Sequence, residues 1–326
     1  MMISNNRICL IGFGEAGGEI AGSICAWRDA STAPVPTITT FDIKSTQPDS
    51  AQLMRRRMDA VGVECASDLA MAVAGAQAVI SVVTADRAHE AAVMAAQHIE
   101  AGTLFLDMNS CAPGTKQKSA DVIEQAGGRY VDVAVMAPIT TAGHRTTMLA
   151  ASTHGESAVA LFTALDMKVS LVGDAPGHAS TIKMLRSVMI KGIEALTAEC
   201  FQAACRAGVA DEVAASLDAS EPDEGWAERA SYNMERMTTH GLRRAAEMHE
   251  VVVTLAELGV ASGMSAATAA RQDAFGAAGL DLTNVRGLAA RMAAIEAGFA
   301  LGEPEASNDP GATDETAQKT IDEGQD

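Results

Sequence analysis

The stretch Ile8-Cys9-Leu10-Ile11-Gly12-Phe13-Gly14-Glu15-Ala16-Gly17 decides the fold of this chain. Its first four residues are apolar, so they predict a buried strand, and the glycines predict a tight turn into a helix. Gly12 permits the turn, Gly14 lets a ligand approach the backbone, and Gly17 lets the helix pack closely on the strand. Because the first N–H groups of a helix attract anions, this turn is predicted to bind phosphate.

A second apolar stretch, Val35–Phe41, ends at Asp42. An acidic side chain that follows the glycine turn in this way accepts hydrogen bonds from the ribose hydroxyls of adenosine. The two signals together predict a dinucleotide site, and the alternative is a turn with a structural role only. The contacts expected from the chain are those of Gly12, Phe13, Gly14, Glu15, Ala16, Gly17 and Asp42.

The same residues bear on the choice of cofactor. Asp42 would repel a 2′-phosphate and so favours NAD, whereas Lys44 and Ser45 could partly neutralise one and keep NADP possible. Thr84 follows the apolar stretch Ala78–Val83, at a sheet edge where cofactor ribose is commonly contacted. Its alternative role is to cap the next helix.

Strands and helices alternate up to about residue 172, which predicts a doubly wound, mainly parallel sheet of the Rossmann type. Beyond Gly177 the sequence is helical throughout, so the fold class is α/β followed by an all-α region. We predict a dinucleotide-binding domain over residues 1–176, a helical domain over 177–302 and a disordered acidic tail over 303–326. The expected strands include Val61–Glu64, Thr103–Asp107, Arg129–Val135, Thr147–Ala151 and Lys168–Val172, and the expected helices include Asp86–Ile99, Pro113–Gln125 and Ser180–Ala207.

Composition limits the function classes. The chain has 326 residues and a net charge of −18, which argues against nucleic acid as a partner because phosphates need a basic surface. No apolar stretch is long enough for a transmembrane helix, and the first strand begins too early for a signal peptide. The six cysteines show no paired spacing, which indicates reduced thiols and no metal site. These features predict a cytoplasmic protein without membrane partners.

The segment Gly177–Ser187 opens the first long helix where it leaves the nucleotide-binding sheet. Lys183 and Ser187 are four residues apart, so they lie on nearly the same helix face. An amine and a hydroxyl on one face can hold a substrate alcohol between them. A solvated surface lysine is the alternative that residue types alone leave open.

Three segments together resemble the β-hydroxyacid dehydrogenase superfamily, which includes 3-hydroxyisobutyrate and 6-phosphogluconate dehydrogenases. They are Gly12–Gly17, Asp107–Pro113 and Gly177–Ser187, and a fourth, Asp132–Pro138, occupies the place of the family's substrate-carboxylate loop. The resemblance spans about residues 7 to 300. Lys183-Met184 together with the later Lys191–Leu196 resembles a branch with a distinct helical domain, similar to that of phosphogluconate dehydrogenases.

The resemblance implies that Lys183 is the general acid and base, with Ser110 and Ser187 orienting the substrate. Burial beside a positively charged nicotinamide would lower the pKa of such a lysine toward working pH. The chain departs from the family at Ser187, where Asn is usual, and at Met136, Ala137 and Pro138, where a Ser-Gly-Gly sequence is usual. Anion contacts are then expected from the backbone N–H groups of Met136 and Ala137, and apolar Met136 favours a less polar substrate.

The family also adds a second lysine to the substrate pocket, and the matching region here, Thr238–Met248, contains none. His240, Arg243 or Arg244 could replace it as an anion clamp. Cys111 lies beside the expected site, but nothing in the sequence would activate its thiol.

We therefore expect an NAD(P)-dependent oxidoreductase that transfers hydride between a nicotinamide and a β-hydroxyacid or a related alcohol. An imine reductase of similar architecture is one alternative, although such enzymes tend to lack lysine at the position of Lys183. A sensor that binds NAD(H) without turnover is the other. The long apolar helix Ser180–Ala207 predicts a homodimer, because its faces need burial beyond one small domain.

Overall fold

The computed structural model describes residues 7–30, 36–220 and 225–302. These residues form one eight-stranded sheet in the order β3-β2-β1-β4-β5-β6-β7-β8. Every neighbouring pair is parallel except β6 and β7, which are antiparallel. The strands are β1 (Arg7–Ile11), β2 (Thr37–Phe41), β3 (Glu64–Cys65), β4 (Ala78–Ser81), β5 (Leu104–Asp107), β6 (Arg129–Val135), β7 (Met148–Ala151) and β8 (Val169–Gly173).

Helices connect the strands and then form the C-terminal region on their own. In chain order they are α1 (Glu15–Ala30), α2 (Ala51–Val61), α3 (Leu69–Val73), α4 (Ala88–Ala96), α5 (Pro113–Gln125), α6 (Ile139–Ala142), α7 (Gly155–Ala164), α8 (His178–Ala207), α9 (Ala210–Ser220), α10 (Trp226–Glu257), α11 (Gly263–Ala277) and α12 (Leu288–Gly302). The predicted fold class, a Rossmann-type sheet followed by helices, is confirmed.

The central strand β1 explains why the sheet is covered on both faces. Ile8 and Leu10 belong to one apolar cluster, whereas Cys9 and Ile11 belong to another. A strand buried on both faces needs apolar residues at every position, which is the pattern of parallel sheets with helices on each side. A separate cluster around Phe201 and Phe275 forms the core of the helical region.

Several predicted boundaries agree with the structure, and one strand does not. Strand β6 and helix α5 have the predicted limits, and α5 begins with Pro113 at its first turn, where a missing N–H costs nothing. The predicted strand Val61–Glu64 is wrong, because α2 runs to Val61 and ends on Gly62 in the left-handed conformation (φ 79°). The strand at this edge of the sheet is Glu64–Cys65, which pairs with Thr39 and Thr40 of β2. Val35 and the predicted tail 303–326 lie outside the described residues.

Helix α8 leaves the sheet beside β6, and helix α10 packs back against the start of α5. The Glu250 carboxylate accepts a hydrogen bond from the Ala112 N–H (2.7 Å), and the Glu257 carboxylate accepts one from the Gly114 N–H (3.1 Å). Both N–H groups lie at the N-terminus of α5, Ala112 as its capping residue, where N–H groups have no partner within the helix. These bonds place α10 over the loop that carries Ser110.

Among the described residues, no helix is both long and apolar enough to cross a membrane. Within the same ranges, no group of three or more His, Cys, Asp and Glu side chains could hold a metal ion. All six cysteines are unbridged. Burial raises the pKa of the Cys111 thiol to about 12, which disfavours the thiolate beside the expected site.

Candidate active site

The glycine turn joins β1 to α1 and has the geometry that phosphate binding requires. Gly12 has φ +94°, and a Cβ there would stand 2.2 Å from the Val82 carbonyl oxygen. A Cβ on Gly17 would stand 2.2 Å from the Gly12 oxygen, so this residue allows α1 to lie against the turn. At Gly14 an added Cβ would meet nothing within 4 Å, which leaves open space over the first turn of α1. Residues 12–17 therefore fit a pyrophosphate in front of the helix N-terminus.

Asp42 lies at the end of β2, immediately beside this turn. One carboxylate oxygen accepts a hydrogen bond from the Phe13 N–H (2.6 Å), and the other accepts one from the Lys44 N–H (2.9 Å). The first bond ties the ends of β1 and β2 together and orients the carboxylate. The Phe13 side chain is buried in the core, so among the expected contacts Phe13 contributes structure more than a binding group.

Thr84 lies beyond the end of β4, and His240 lies on α10. Thr84 is exposed and precedes a short 3-10 turn, Ala85–Arg87, without a capping hydrogen bond from its side chain. His240 lines a cavity of about 240 Å³ together with Glu15 and Arg243. Burial lowers the pKa of His240, Arg243 lowers it further and Glu15 opposes the shift. The structure therefore brings His240 to the glycine-turn side of the cleft.

Lys183 projects from the second turn of α8 and donates a hydrogen bond to the Ser110 hydroxyl. Ser110 follows β5, so the contact joins the helical region to the carboxyl edge of the sheet. This edge, outside the ends of the strands, is where open α/β sheets bind ligands. Lys183 and Ser110, 73 residues apart in sequence, are thus brought together.

Sequence reasoning missed the group that lies next to Lys183 on helix α10, which is Glu247. Its carboxylate forms an ion pair with the buried Lys191 ammonium (2.7 Å) and another with Arg243 (2.8 Å). The Lys191 ammonium also lies 3.5 Å from the Ser187 hydroxyl. Ser187 and Lys191 are therefore buried on α8, one and two turns beyond the partly buried Lys183. The only sequence signal for Glu247 is its spacing of four residues from Arg243.

These contacts set the protonation of the site. Burial lowers the pKa of Lys183 to about 8; Glu247 opposes the shift, while Lys191, Lys116 and Arg243 add to it. Burial by itself would raise the pKa of Glu247. The positive charges of Lys191 and Lys183 outweigh that effect and lower this pKa to about 2. The site therefore pairs one fixed carboxylate with an amine that can titrate near neutral pH.

Two expected anion contacts are corrected by the structure. Arg244 is buried and bound to the Glu194 carboxylate, so its guanidinium does not face the site. The Met136 N–H donates to the Thr147 carbonyl oxygen (3.0 Å) in the antiparallel pairing of β6 and β7. It is therefore not available to a substrate carboxylate, and Ala137 remains the backbone donor of that pair. The Met136 side chain packs against a small apolar cluster formed by Ala134, Ala151 and Ala179, the last in the first turn of α8.

A buried polar network that the sequence analysis also missed lies beneath Lys183. Its members are the side chains of Asp107, Lys116, Tyr130 and Asp132, each with no exposed surface. The Tyr130 hydroxyl donates to the Asp107 carboxylate (2.7 Å), and Lys116 contacts both carboxylates. Burial by itself would lower the pKa of Lys116, but Asp107 holds it above its usual value. One sequence signal indicated that Lys116 is buried, because it shares a helix face with the apolar residues Ala120 and Ile123.

Solved structures with this architecture include two whose sequences are related. A conserved hypothetical protein from Sinorhizobium meliloti 1021 is 32% identical, with a TM-score of 0.72 over 91% of this chain and 97% of that one. A conserved protein of unknown function, described as structurally similar to 3-hydroxyacid dehydrogenases, is 29% identical, with a TM-score of 0.65 over 82% of this chain and 96% of that one.

More distant structures share the fold alone. The 3-hydroxyisobutyrate dehydrogenase of Mycobacterium tuberculosis is 15% identical, with a TM-score of 0.66 over 90% of this chain and 98% of that one. An imine reductase from Aspergillus terreus is 15% identical, with a TM-score of 0.54 over 79% of this chain and 89% of that one.

Family models match both parts of the chain. Residues 7–171 match the NAD binding domain of 6-phosphogluconate dehydrogenase, and residues 204–275 match a domain of unknown function (DUF1932). The first match contains the glycine turn, Asp42 and Ser110, and it supports a nicotinamide cofactor and a small-molecule substrate. The chain therefore belongs to the family that carries the NAD-binding domain of 6-phosphogluconate dehydrogenase.

Proposed function

We propose that this protein is an NAD(P)-dependent oxidoreductase that interconverts a β-hydroxyacid, or a related alcohol, and its carbonyl compound. The observation that carries the proposal is the hydrogen bond between Lys183 and Ser110 at the carboxyl edge of the sheet. It supports the proposal because this edge of the sheet is where open α/β sheets bind ligands. A solvated surface lysine would not contact Ser110 at that edge.

Each chain residue has a distinct part in the proposed reaction. When bound at the glycine turn, a nicotinamide dinucleotide supplies the hydride acceptor in oxidation and the donor in reduction. Neutral Lys183 removes the proton of the substrate hydroxyl, and its ammonium form returns that proton in the reverse direction. Ser110 and Ser187 hold the substrate oxygen with their hydroxyl groups. Asp42 binds the adenosine ribose, and residues 12–17 bind the two phosphates.

NAD is the preferred cofactor in this proposal. The Asp42 carboxylate, held by two backbone N–H groups, accepts hydrogen bonds from ribose hydroxyls and repels a 2′-phosphate. Lys44 offers its backbone N–H to Asp42 and does not cancel the carboxylate's charge through that bond.

We also propose that the dinucleotide-binding domain ends before Gly177.

The substrate is a hydroxyacid whose side group is less polar than a sugar acid. Glu247 already neutralises one of the two cations next to Lys183, which leaves room for a single substrate carboxylate. Met136 packs against the apolar cluster that includes Ala179 of α8 and offers an apolar wall. The Ala137 N–H is the remaining donor for that carboxylate.

The test is a panel of aliphatic and aryl β-hydroxyacids, assayed with NAD and with NADP by the absorbance of reduced nicotinamide. We expect turnover with NAD at a higher kcat/KM than with NADP. Because the base is neutral Lys183, kcat/KM for oxidation should rise with pH and level off above about 8. Carbonyl reduction needs the ammonium form, so it should fall over the same range. A profile that is flat from neutral to alkaline pH contradicts the role of Lys183.

Two other outcomes of the panel favour other functions. Reduction of cyclic imines with no oxidation of any hydroxyacid favours an imine reductase, since a solved imine reductase shares this fold. Binding of NADH, seen by its fluorescence, without turnover of any compound favours a sensor of the cofactor's redox state. Lys183 in contact with Ser110 speaks against both, because neither role requires a general base there.

A homodimer formed through α8 belongs to the same proposal. Ile182, Leu185, Met189 and Leu196 recur on one side of this helix and are 36%, 41%, 63% and 55% exposed. Such an apolar stripe on a long helix is buried most simply by a second copy related by two-fold symmetry. The stripe lies about a third of a turn from Lys183, so the interface leaves the site open.

Analytical ultracentrifugation tests the dimer. We expect the wild-type chain to sediment as a dimer and the Met189→Glu/Leu196→Glu variant as a monomer, because two carboxylates in an apolar interface are strongly unfavourable. Met264→Glu is the matched control, since Met264 is 67% exposed on α11 and away from the stripe. A wild-type chain that stays monomeric at micromolar concentration contradicts the proposal.

A further inference from the structure

Lys116 is a fully buried lysine that takes no direct part in the proposed reaction. Its ammonium donates to the carbonyl oxygen of Asp107 (2.6 Å) and to the Asp107 carboxylate (2.9 Å). The same ammonium lies 3.5 Å from the Asp132 carboxylate. A single cation therefore stands between two carboxylates that come from neighbouring strands, β5 and β6.

The Asp107 side of this network leads to Ser110. The Asp107 carboxylate accepts hydrogen bonds from the backbone N–H and the side-chain amide of Asn109, at 3.0 and 2.8 Å. The Asn109 oxygen in turn accepts from the Val83 N–H (2.6 Å), which ties the loop to the end of β4. The backbone next to Ser110 is therefore fixed by bonds that begin at Lys116.

The Asp132 side leads to Lys183. The Asp132 carboxylate accepts hydrogen bonds from the Gly177 N–H (3.1 Å), the Ser180 N–H (3.0 Å) and the Ser180 hydroxyl (2.6 Å). These groups form the first turn of α8, and a carboxylate there satisfies N–H groups that have no partner within the helix. Lys183 lies three residues beyond Ser180, one turn further along the helix.

We infer that Lys116 is a positioning residue, which aligns the Lys183 amine with the Ser110 hydroxyl by holding the Asp107 loop and the start of α8 together. The inference rests on the proposed role of Lys183. Ser110 is three residues from Asp107, and Lys183 is three residues from Ser180, so both partners of the hydrogen bond are short extensions of groups fixed around one ammonium. Loss of the Lys116 ammonium would therefore leave both Ser110 and Lys183 less well positioned.

The charge of Lys116 also reaches the site. The charged groups that face Lys183 are Lys191 on its own helix, Glu247 and Arg243 on α10, and Lys116 on α5. Lys116 lowers the pKa of Lys183, as do Lys191 and Arg243, and Glu247 raises it. Loss of the Lys116 charge removes one of these effects and leaves Asp107 and Asp132 uncompensated. Both changes raise the pKa of Lys183.

The test is a titration of Lys183 by NMR in full-length protein labelled with ¹³C at the lysine ε carbon. The chain has seven lysines, and the Lys183→Arg variant assigns the signal. In Lys116→Gln, which keeps a side-chain donor for Asp107 but no charge, we expect the Lys183 pKa to rise by about one unit. The matched control is Lys118→Gln, an exposed lysine on the same helix, which should leave it unchanged.

A second variant covers the case in which Lys116→Gln does not fold. Asp107→Asn removes one carboxylate and keeps the Lys116 charge and an acceptor for Tyr130, so the Lys183 pKa should fall. A general loosening of the structure does not give shifts of opposite sign. A folded Lys116→Gln protein with an unchanged Lys183 pKa overturns the inference, as does an Asp107→Asn protein whose pKa does not fall.

Kinetics complete the test. With any compound that the wild type oxidises, Lys116→Gln should lower kcat at least about tenfold at neutral pH and leave the KM for the dinucleotide unchanged. Lys116→Arg keeps the charge and should recover part of kcat. If no hydroxyacid is turned over, the proposed function fails, and the NMR titration still decides whether Lys116 controls Lys183.

Discussion

Replacement of Lys183 by methionine lowers kcat/KM for hydroxyacid oxidation by about 10²- to 10⁴-fold, the usual range for loss of a general acid or base. Methionine has a similar length and no amine, so it fills the space beside Ser110 without a proton acceptor. The glycine turn and Asp42 are untouched, and the dissociation constant for NADH should stay unchanged. Steady-state kinetics and fluorescence titration measure the two quantities separately.

The stability of this variant separates catalysis from folding. Burial disfavours the Lys183 ammonium, so an apolar side chain at this position should leave the midpoint of urea unfolding unchanged or higher. Lys118→Met, on an exposed face of α5, is the matched control and should keep full activity. A Lys183→Met protein that retains half of the wild-type kcat/KM would show that another group moves the proton.

Replacement of Asp132 by alanine lowers the free energy of unfolding by about 3–5 kcal/mol, the range seen when a buried charged partner is removed. The carboxylate accepts three hydrogen bonds from the first turn of α8 and lies 3.5 Å from the Lys116 ammonium. Alanine leaves those N–H groups buried without an acceptor, and each unsatisfied group costs about 1–3 kcal/mol.

Urea unfolding followed by circular dichroism measures this loss from the shift in midpoint at constant slope. Asp132→Asn should lose less, because its amide oxygen can still accept from the Gly177 and Ser180 N–H groups. Asp121→Ala, at an exposed position of α5, controls for the loss of a carboxylate in general and should change stability by less than about 0.5 kcal/mol. A loss below about 1 kcal/mol for Asp132→Ala contradicts the anchoring role given to this side chain.

Local sequence signals were sufficient for the glycine turn and for most of the sheet. Residues 8–17 combine an apolar strand with three glycines at the spacing of a phosphate-binding turn. Pro113 marks the start of α5. The short edge strand β3 was misplaced, because apolar Val61 and Val63 resemble a strand while Gly62 in fact ends α2. The reversed direction of β7 depends on pairing with β6 and has no local signature.

The site was predictable only where one residue type determines the chemistry. Lys183, Ser110 and Asp42 follow from their positions after a strand or at the start of a helix. Glu247 and Lys116 depend on which faces of α10 and α5 meet the rest of the molecule. Arg244 was expected as an anion clamp on residue type, and the structure assigns it to Glu194 because that carboxylate is buried on the facing helix.

Glu250 and Glu257 give the cleft a further property. Their carboxylates hold α10 on the backbone of α5 at Ala112 and Gly114, so the two lobes are clamped at the root of the opening. Hydrogen bonds at this point oppose a movement of α10 away from α5, so we expect the width of the cleft to change little when a ligand enters. The shape of the cleft before binding would then decide which ligands fit.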